Sequence, residues 1–273
     1  MILVTGANGN LGSSILAALH ARGVVATGGS RTPGEGMRRL DFDDPASLDL
    51  AGVSTLVLVS AGFAEDDQVV GRHAAVLDAA VRDGVQHVVY TSLTGAGDHL
   101  GFALAHRATE RLVRTSGLPW TILRNGIYAE LFGALLIWTD KGVESAFGDG
   151  AMAAVAREDL ADAAANVAAS PTRHGGRVHE LVGTSITAGQ VADLLGVPHH
   201  AISLGEYRRR LLDETLGLLP FQPPMLASIA TGIRHGFLDG TATDLPDLLD
   251  RPARDPLTVA VAAASATRPK ASV

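Results

Sequence analysis

Met1-Ile-Leu-Val-Thr-Gly-Ala-Asn-Gly-Asn-Leu-Gly12 opens the chain. Ile2, Leu3 and Val4 form a short apolar run suited to a buried strand. Gly6, Gly9 and Gly12 follow at G-x-x-G-x-x-G spacing. Leu11, Ile15, Leu16 and Leu19 then recur at helical spacing up to Gly23. Strand, glycine turn and helix in this order make a nucleotide cradle. Small residues let the backbone approach a pyrophosphate, and the helix N-terminus turns free N–H groups and a partial positive charge toward it. The expected contact set is Gly6, Ala7, Asn8, Gly9, Asn10, Leu11 and Gly12.

Outward from this stretch, Val24 to Thr27 read as a second strand, followed by Gly28-Gly29-Ser30-Arg31-Thr32. An NAD site usually carries an acid here to hold the ribose 2′-hydroxyl. A cation and two hydroxyls stand in its place. Arg31 can pair with a 2′-phosphate that an acid would repel, so the expected cofactor is NADP(H). Asp41 to Asp43 would edge the adenine pocket, and Pro45 marks a helix start. Thr55 to Ala61 is an apolar run of the kind found in parallel, doubly covered strands. Its end, Ser60, Ala61 and Gly62, is expected near the cofactor, because ligands bind beyond the carboxyl ends of such strands. Val69, His73, Val76, Leu77 and Ala80 mark a helix, with His73 on its packed side. Gly84 to Ser92 is a strand ending in hydroxyls, Ala103 to Thr115 a helix, and Trp120 to Asn125 a strand.

This alternation predicts an α/β fold: a Rossmann-type doubly wound parallel sheet with a smaller C-terminal α/β substrate domain. The expected division is an NADP-binding domain over 1–150, to which the chain returns around 151–183, and a substrate or cap domain over 184–273. In the second half, Leu131 to Trp138 reads as a short helix, Arg157 to Ala169 as an alanine-rich helix and Arg177 to Gly183 as a strand. Ile186 to Leu195 and Glu206 to Thr215 read as helices, and Leu238, Leu245, Leu248 and Leu249 as lid material.

Composition narrows the function. The 273 residues carry a net charge of -7 and only 4% aromatics. That argues against a nucleic-acid partner. With no cysteine, thiolate catalysis and Cys-ligated metals are excluded; the adjacent His199 and His200 would face opposite ways on a strand, and no metal is expected. No apolar run approaches the ~18 residues of a membrane span. The first strand begins at Met1 with no room for a leader, so a cytoplasmic protein with no membrane partner is expected. Apolar content in the C-terminal half points to a homodimer.

Ordinary short-chain dehydrogenases protonate a ketone's oxygen with a Tyr-x-x-x-Lys pair. Here Phe102 and His106 stand at that spacing. Ser92 remains, but a serine hydroxyl alone is a poor acid, so simple ketone reduction is disfavoured. At this point Val4-Thr-Gly-Ala-Asn-Gly-Asn-Leu-Gly12, Tyr90-Thr-Ser-Leu93, His106-Arg-Ala-Thr-Glu110 and Leu123-Arg-Asn-Gly-Ile-Tyr128 become specific. The chain resembles the NmrA-like atypical short-chain dehydrogenases, which include NADPH-dependent quinone oxidoreductases. The likeness covers nearly the whole chain and is weakest after Arg208.

The resemblance implies NADPH, a cleft between two domains and a quinone-like small-molecule acceptor. Hydride addition to a quinone gives a phenolate-like oxygen, whose conjugate acid has a pKa of roughly 10, so a weaker proton donor suffices. His106 is expected nearest the acceptor, with Glu110 orienting it and Ser92 beside it. Gly126 and Ile127 should border the nicotinamide. Tyr128, Phe132 and Trp138 are candidate walls of the acceptor pocket. Two other readings share the glycine cradle: an NADP-binding redox-sensing regulator without turnover, and a tailoring ketone or enone reductase of secondary metabolism.

Overall fold

The computed structural model describes residues 1–61, 64–240 and 242–269. In the first half, strands β1 (Ile2–Thr5), β2 (Ala26–Ser30), β3 (Arg38–Arg39), β4 (Thr55–Val59), β5 (His87–Leu93) and β6 (Trp120–Asn125) alternate with helices α1 (Asn10–Ala21), α2 (Asp66–Arg82) and α3 (Ala103–Thr115). Then come α4 (Ala129–Ala134), β7 (Ile137–Thr139), β8 (Gly142–Ser145), β9 (Ala151–Ala153), α5 (Arg157–Ala169), β10 (Val178–Leu181), β11 (Ser185–Thr187), α6 (Ala188–Leu195) and β12 (His199–Ala201). The chain closes with α7 (Leu204–Leu211), α8 (Gln222–Arg234), α9 (Leu245–Leu248) and α10 (Pro256–Ala266).

The main sheet is parallel throughout, in the order β10-β6-β5-β4-β1-β2-β3. The chain starts in the middle, runs outward to β3, then crosses back to β4 on the other side of β1. The carboxyl ends of β1 and β4 therefore flank the point where strand order reverses, which is where open α/β sheets bind ligands. Alternation along the strands supplies two cores. Ile2, Val4, Val57 and Val89 face α1 and α5, while Leu3, Leu56, Leu58 and Val88 face α2 and α3. This is the expected Rossmann-type sheet.

The second strand is longer than its composition suggests. It holds Gly28 and Gly29 in extended pairing opposite Val4 and Thr5. A Cβ on Gly28 would lie 2.6 Å from the Ala7 Cβ, and one on Gly29 would lie 2.3 Å from a Leu40 methyl. These glycines serve close packing of the glycine turn on the sheet, not a turn of their own. Arg31 follows the strand directly.

A third core joins α4, β8, α6, α8 and α10. It takes Phe132, Val143 and Phe147 as well as Ile186 and Ile233, so most of residues 126–150 pack with the C-terminal unit, while Tyr128 packs with the cluster beneath the sheet. Conversely, Leu245 and Leu248 pack among Leu11, Ile15 and Leu160 beneath the sheet; they are not lid residues. Leu238 does join the third core. Val155 to Leu181 pack beneath the sheet, Ile186 to Leu238 with the third core, Leu245 and Leu248 beneath the sheet, and Ala260 and Ala264 with the third core again. The segment expected as a helix to Trp138 stops at Ala134, and Trp138 lies on β7. The helix expected from Ile186 starts at Ala188, where Thr187 and Gln190 form a reciprocal capping box. The polar helix expected over 206–215 spans Leu204–Leu211 with Ser203 as its cap.

Candidate active site

The glycine turn is built as its spacing requires. Gly6 has φ +61°, a left-handed conformation that favours glycine. Gly9 precedes α1, and among the described residues no side chain caps that helix end. Its first-turn N–H groups are therefore left for a ligand. A Cβ on Gly12 would lie 2.3 Å from the Gly6 carbonyl oxygen, so the helix can approach the turn only as glycine. The Asn8 amide donates to the Thr32 carbonyl at 2.7 Å and ties the turn to the segment after β2. Thr5 Oγ1 accepts from the Val59 N–H at 2.9 Å, fixing the ends of β1 and β4 against each other.

A groove of about 770 Å³ runs over this turn. Gly6, Asn8, Gly9, Asn10, Leu11 and Gly12 line it, as do Arg31, Ser60, Ala61 and Tyr128. Ala7 is buried beneath. Gly62 lies outside the described residues. The Asp41–Asp43 segment edges the groove. Arg31 is exposed there; it is Arg72 that takes the Asp43 carboxylate, through two bonds of 2.7 Å. This hydrogen-bonded pairing holds the Asp43 carboxyl below its ordinary value, against the small upward effect of burial.

A second cavity of about 250 Å³ shares Leu11, Val59, Ser60 and Tyr128 with the groove. Ser92, His106, Gly126 and Ile127 line it, together with Phe102 from α3 and Met225 and Ile229 from α8. The third core thus closes over the sheet. Phe132 does not line this cavity: it is fully buried against Phe147, ring centroids 5.0 Å apart. Nor does Trp138, whose indole N–H donates to the Ala264 carbonyl at 2.8 Å while Arg268 covers the ring. Both serve the third core, which helical spacing alone could not distinguish from a pocket wall.

Glu110 does not orient His106, although the two are i,i+4 neighbours. Its buried carboxylate accepts from Arg107 at 2.6 Å, Arg124 at 2.8 Å and Ser92 Oγ at 2.7 Å. Ser92 thereby spends its proton inside the network and has none for a ligand. Burial alone would raise the Glu110 carboxyl; the hydrogen bonds from Arg124 and Ser92 and the two guanidinium charges hold it below its ordinary value. Instead His106 Nδ1 meets the Tyr90 hydroxyl at 3.1 Å. Desolvation, with the charge of Arg107, lowers the His106 pKa to about 4 against the opposing pull of Glu110. The ring is neutral near pH 7.

Two further residues were not singled out by sequence pattern. Arg157, at the start of α5, lines the groove with its guanidinium 5.1 Å over the Tyr128 ring. Asn125, at the end of β6, lines the cavity. Among the described residues, the buried Arg157 Nε and Asn125 Oδ1 have no hydrogen-bond partner. Orphaned buried polar atoms are rare and call for a ligand or water. Their positions along one continuous groove fit a long, polar, phosphate-bearing group with one end in the cavity. The only sequence signal for Arg157 was its place at a helix start.

Residues 6–171 match the NAD(P)H-binding family. The chain is 34% identical over 277 residues to quinone oxidoreductase 2 of Escherichia coli (strain K12), covering 92% of this chain and 94% of that protein. The fold superposes with TM-score 0.81 on a crystal structure of Escherichia coli NADPH-dependent quinone oxidoreductase complexed with NADPH (31% identity, 95% and 98% coverage). It superposes with TM-score 0.83 on Citrobacter sp. triphenylmethane reductase complexed with NADP(H) (29% identity, 94% and 98% coverage). By sequence and fold, the chain belongs to the NAD(P)H-binding family of NmrA-like atypical short-chain dehydrogenases and reductases.

Proposed function

We propose that the protein is an NADPH-dependent oxidoreductase that reduces quinones or related conjugated carbonyls. The observation that carries this reading is the junction of the glycine-lined groove with a largely apolar cavity at the sheet's reversal point. A flat conjugated acceptor suits that cavity. The similarity to quinone oxidoreductase 2 along nearly both whole chains supports the same reading.

The roles divide along the groove. Gly6, Ala7, Asn8, Gly9, Asn10, Leu11 and Gly12 form the cradle for the pyrophosphate, and Arg31 faces the adenosine end. Ser60, Ala61, Gly126 and Ile127 border the nicotinamide. Bound NADPH supplies the hydride. Tyr128 forms one wall of the acceptor site, and Met225 and Ile229 exclude water from above. His106 is the polar group that meets the acceptor oxygen. Reduction of a quinone consumes one hydride and one proton and leaves a hydroquinone. The oxygen that takes the proton is no more basic than a phenolate of pKa roughly 10, so no Tyr–Lys pair is required.

Two measurements test this. Purified protein should oxidise NADPH in the presence of benzo- or naphthoquinones and do so far more slowly with NADH. Equal turnover with both nucleotides would contradict the assignment of Arg31. Second, Arg31→Ala should weaken NADPH binding about tenfold, the lower end for a lost charge-assisted hydrogen bond because the site is exposed, and leave NADH binding unchanged. Parallel loss of both nucleotides would place the 2′-phosphate contact elsewhere.

A further inference from the structure

We propose that Arg157 is a phosphate ligand: seated on the face of Tyr128, its guanidinium takes the phosphate on the nicotinamide side of NADPH. The proposal rests on the NADPH-binding groove described above and not on the identity of the acceptor.

The backbone brings the two residues together. Tyr128 pairs with Val155 in an isolated parallel bridge. The Val155 N–H donates to the Ile127 carbonyl at 3.2 Å, and the Val155 carbonyl accepts from the Ala129 N–H at 2.9 Å. Arg157 follows two residues later as the first residue of α5. Its own N–H donates to the Glu130 carboxylate, 3.2 Å from each oxygen. With the main chain held at both sides, the guanidinium lies over the Tyr128 ring, 5.1 Å from its centroid. The negative face of an aromatic ring is a favourable seat for a cation.

That cation has no counter-ion in the protein's own acids. The two that follow it in the helix are engaged elsewhere: Glu158 pairs with Arg254 at 2.6 Å, and Asp159 with Arg251 and Arg254, each at 2.7 Å. Glu130 meets the Arg157 peptide. Among the described residues no carboxylate forms an ion pair with the Arg157 guanidinium, and its buried Nε has no hydrogen-bond partner. A half-buried charge without a partner is costly, and an anion in the groove removes that cost.

The groove is electropositive on its own account. Gly9, Asn10 and Leu11, at the start of α1, line it with Arg157, and the free N–H groups of that helix end favour an anion. The acids at its edge are already neutralised: Asp43 is held by Arg72, and Asp44 by Arg39 at 2.8 Å. Position selects the phosphate. Tyr128 lines both the groove and the cavity, so Arg157 stands at their junction, whereas Arg31 and Asp41 to Asp43 line the groove alone. Arg31 therefore serves the adenosine end and Arg157 the nicotinamide half. A phosphate at the junction is common to NADPH and NADH, so the Arg157 contact adds affinity for both and selects neither. Tyr128 is the positioning residue for Arg157.

Isothermal titration calorimetry without any acceptor tests the assignment. Arg157→Met should weaken NADPH and NADH binding by the same factor, about thirtyfold, as for a lost charge-assisted bond to phosphate. Binding of adenosine 2′,5′-bisphosphate, which lacks the nicotinamide-side phosphate, should not change. Arg157→Lys should recover part of the loss, since an ammonium keeps the charge without the flat fork. Tyr128→Phe keeps the ring face and should retain NADPH affinity, whereas Tyr128→Leu should lose about threefold. The melting temperature of nucleotide-free Arg157→Met should fall by no more than about 4 °C, the loss of the ring contact alone. Unchanged NADPH affinity in Arg157→Met, a loss confined to NADPH, or an equal loss for the bisphosphate would each overturn the proposal, as would a parent that binds no NADPH. A larger fall in melting temperature would overturn it too, by making Arg157 a part of the fold. The expected binding pattern without turnover on any quinone would count against the reductase reading alone.

Discussion

Glu110→Ala is expected to lower the melting temperature by about 6–12 °C. The Glu110 side chain is buried, with only 5% exposure, whereas Arg107 and Arg124 are each about a quarter exposed. Removing one partner of a buried ion pair costs roughly 3–5 kcal/mol, because the other charge is left without compensation. The partial exposure of both arginines favours the lower end, about 3 kcal/mol, and a chain of this size loses roughly 2–4 °C per kcal/mol. The network also joins elements far apart in sequence. Arg124 on β6 bridges Glu110 to Glu180 on β10 at 3.2 Å, and Glu180 accepts from Thr94 Oγ1 at 2.9 Å. Differential scanning calorimetry reads the shift; a change under about 2 °C would show that water re-solvates both guanidinium groups.

The same group gives a signed pH dependence. The folded-state pKa of Glu110 lies below the ordinary value of 4.5. Folding is then favoured by the ionised group above that pH, and the contribution is lost as pH falls through the depressed folded value. Between about pH 5 and about pH 3, the parent should lose more stability than Glu110→Gln does. Equal slopes for the two proteins would remove Glu110 as a source of acid sensitivity.

The second large effect is expected at Gly12. Its Cβ position lies 2.3 Å from the Gly6 oxygen and 2.8 Å from the Thr5 oxygen. Both neighbours are backbone, so neither can swing away as a side chain would. Even Gly12→Ala must push α1 off the turn. Overpacking of this kind costs roughly 1–3 kcal/mol, and the displaced helix end is the one that faces the groove. NADPH affinity should fall at least about thirtyfold, the equivalent of about 2 kcal/mol, with a loss of thermal stability. Gly9→Ala is the contrast. Its Cβ would meet only the Gly6 oxygen at 3.2 Å, and its φ of −85° suits any residue. Its melting temperature should stay close to the parent value. Equal destabilisation by the two substitutions would mean that the turn, not the helix approach, limits stability.

The parts of the fold legible from sequence were those with one dominant period. Ile2–Val4 and Leu56–Leu58 are buried on both faces and so read as continuous apolar runs. Arg157–Ala169 kept its alanine pattern and its observed ends. The glycine turn was legible because its spacing has a backbone cause. Gly28 and Gly29 misled because glycine usually breaks a strand, whereas here two side chains, Ala7 and Leu40, occupy the space their Cβ atoms would need. Phe132, Trp138 and Leu245 misled because an apolar residue at the right period says only that it is buried, not against what.

The cavity's polar lining was the least legible part. Sequence spacing suggested Glu110 for His106, since the two share a helix face. The actual partner, Tyr90, comes from β5, an element sequence spacing could not bring to His106, while Thr109 on the same helix pairs with His73 instead. Arg157 and Asn125 likewise gain meaning only from their neighbours, as buried groups with atoms left unpaired.

Transfer of hydride from NADPH within the cavity is tested most directly with NADPH deuterated at one or the other face of its nicotinamide C4, mixed with enzyme and a naphthoquinone in a stopped-flow single turnover. On the proposed reading, one acceptor cavity adjoins the groove. The expected result is therefore that NADPH is oxidised and that deuterium slows the reaction from one face only. Tight NADPH binding with no oxidation by any quinone would contradict hydride transfer as the protein's activity, and slowing from both faces alike would contradict a single fixed acceptor site.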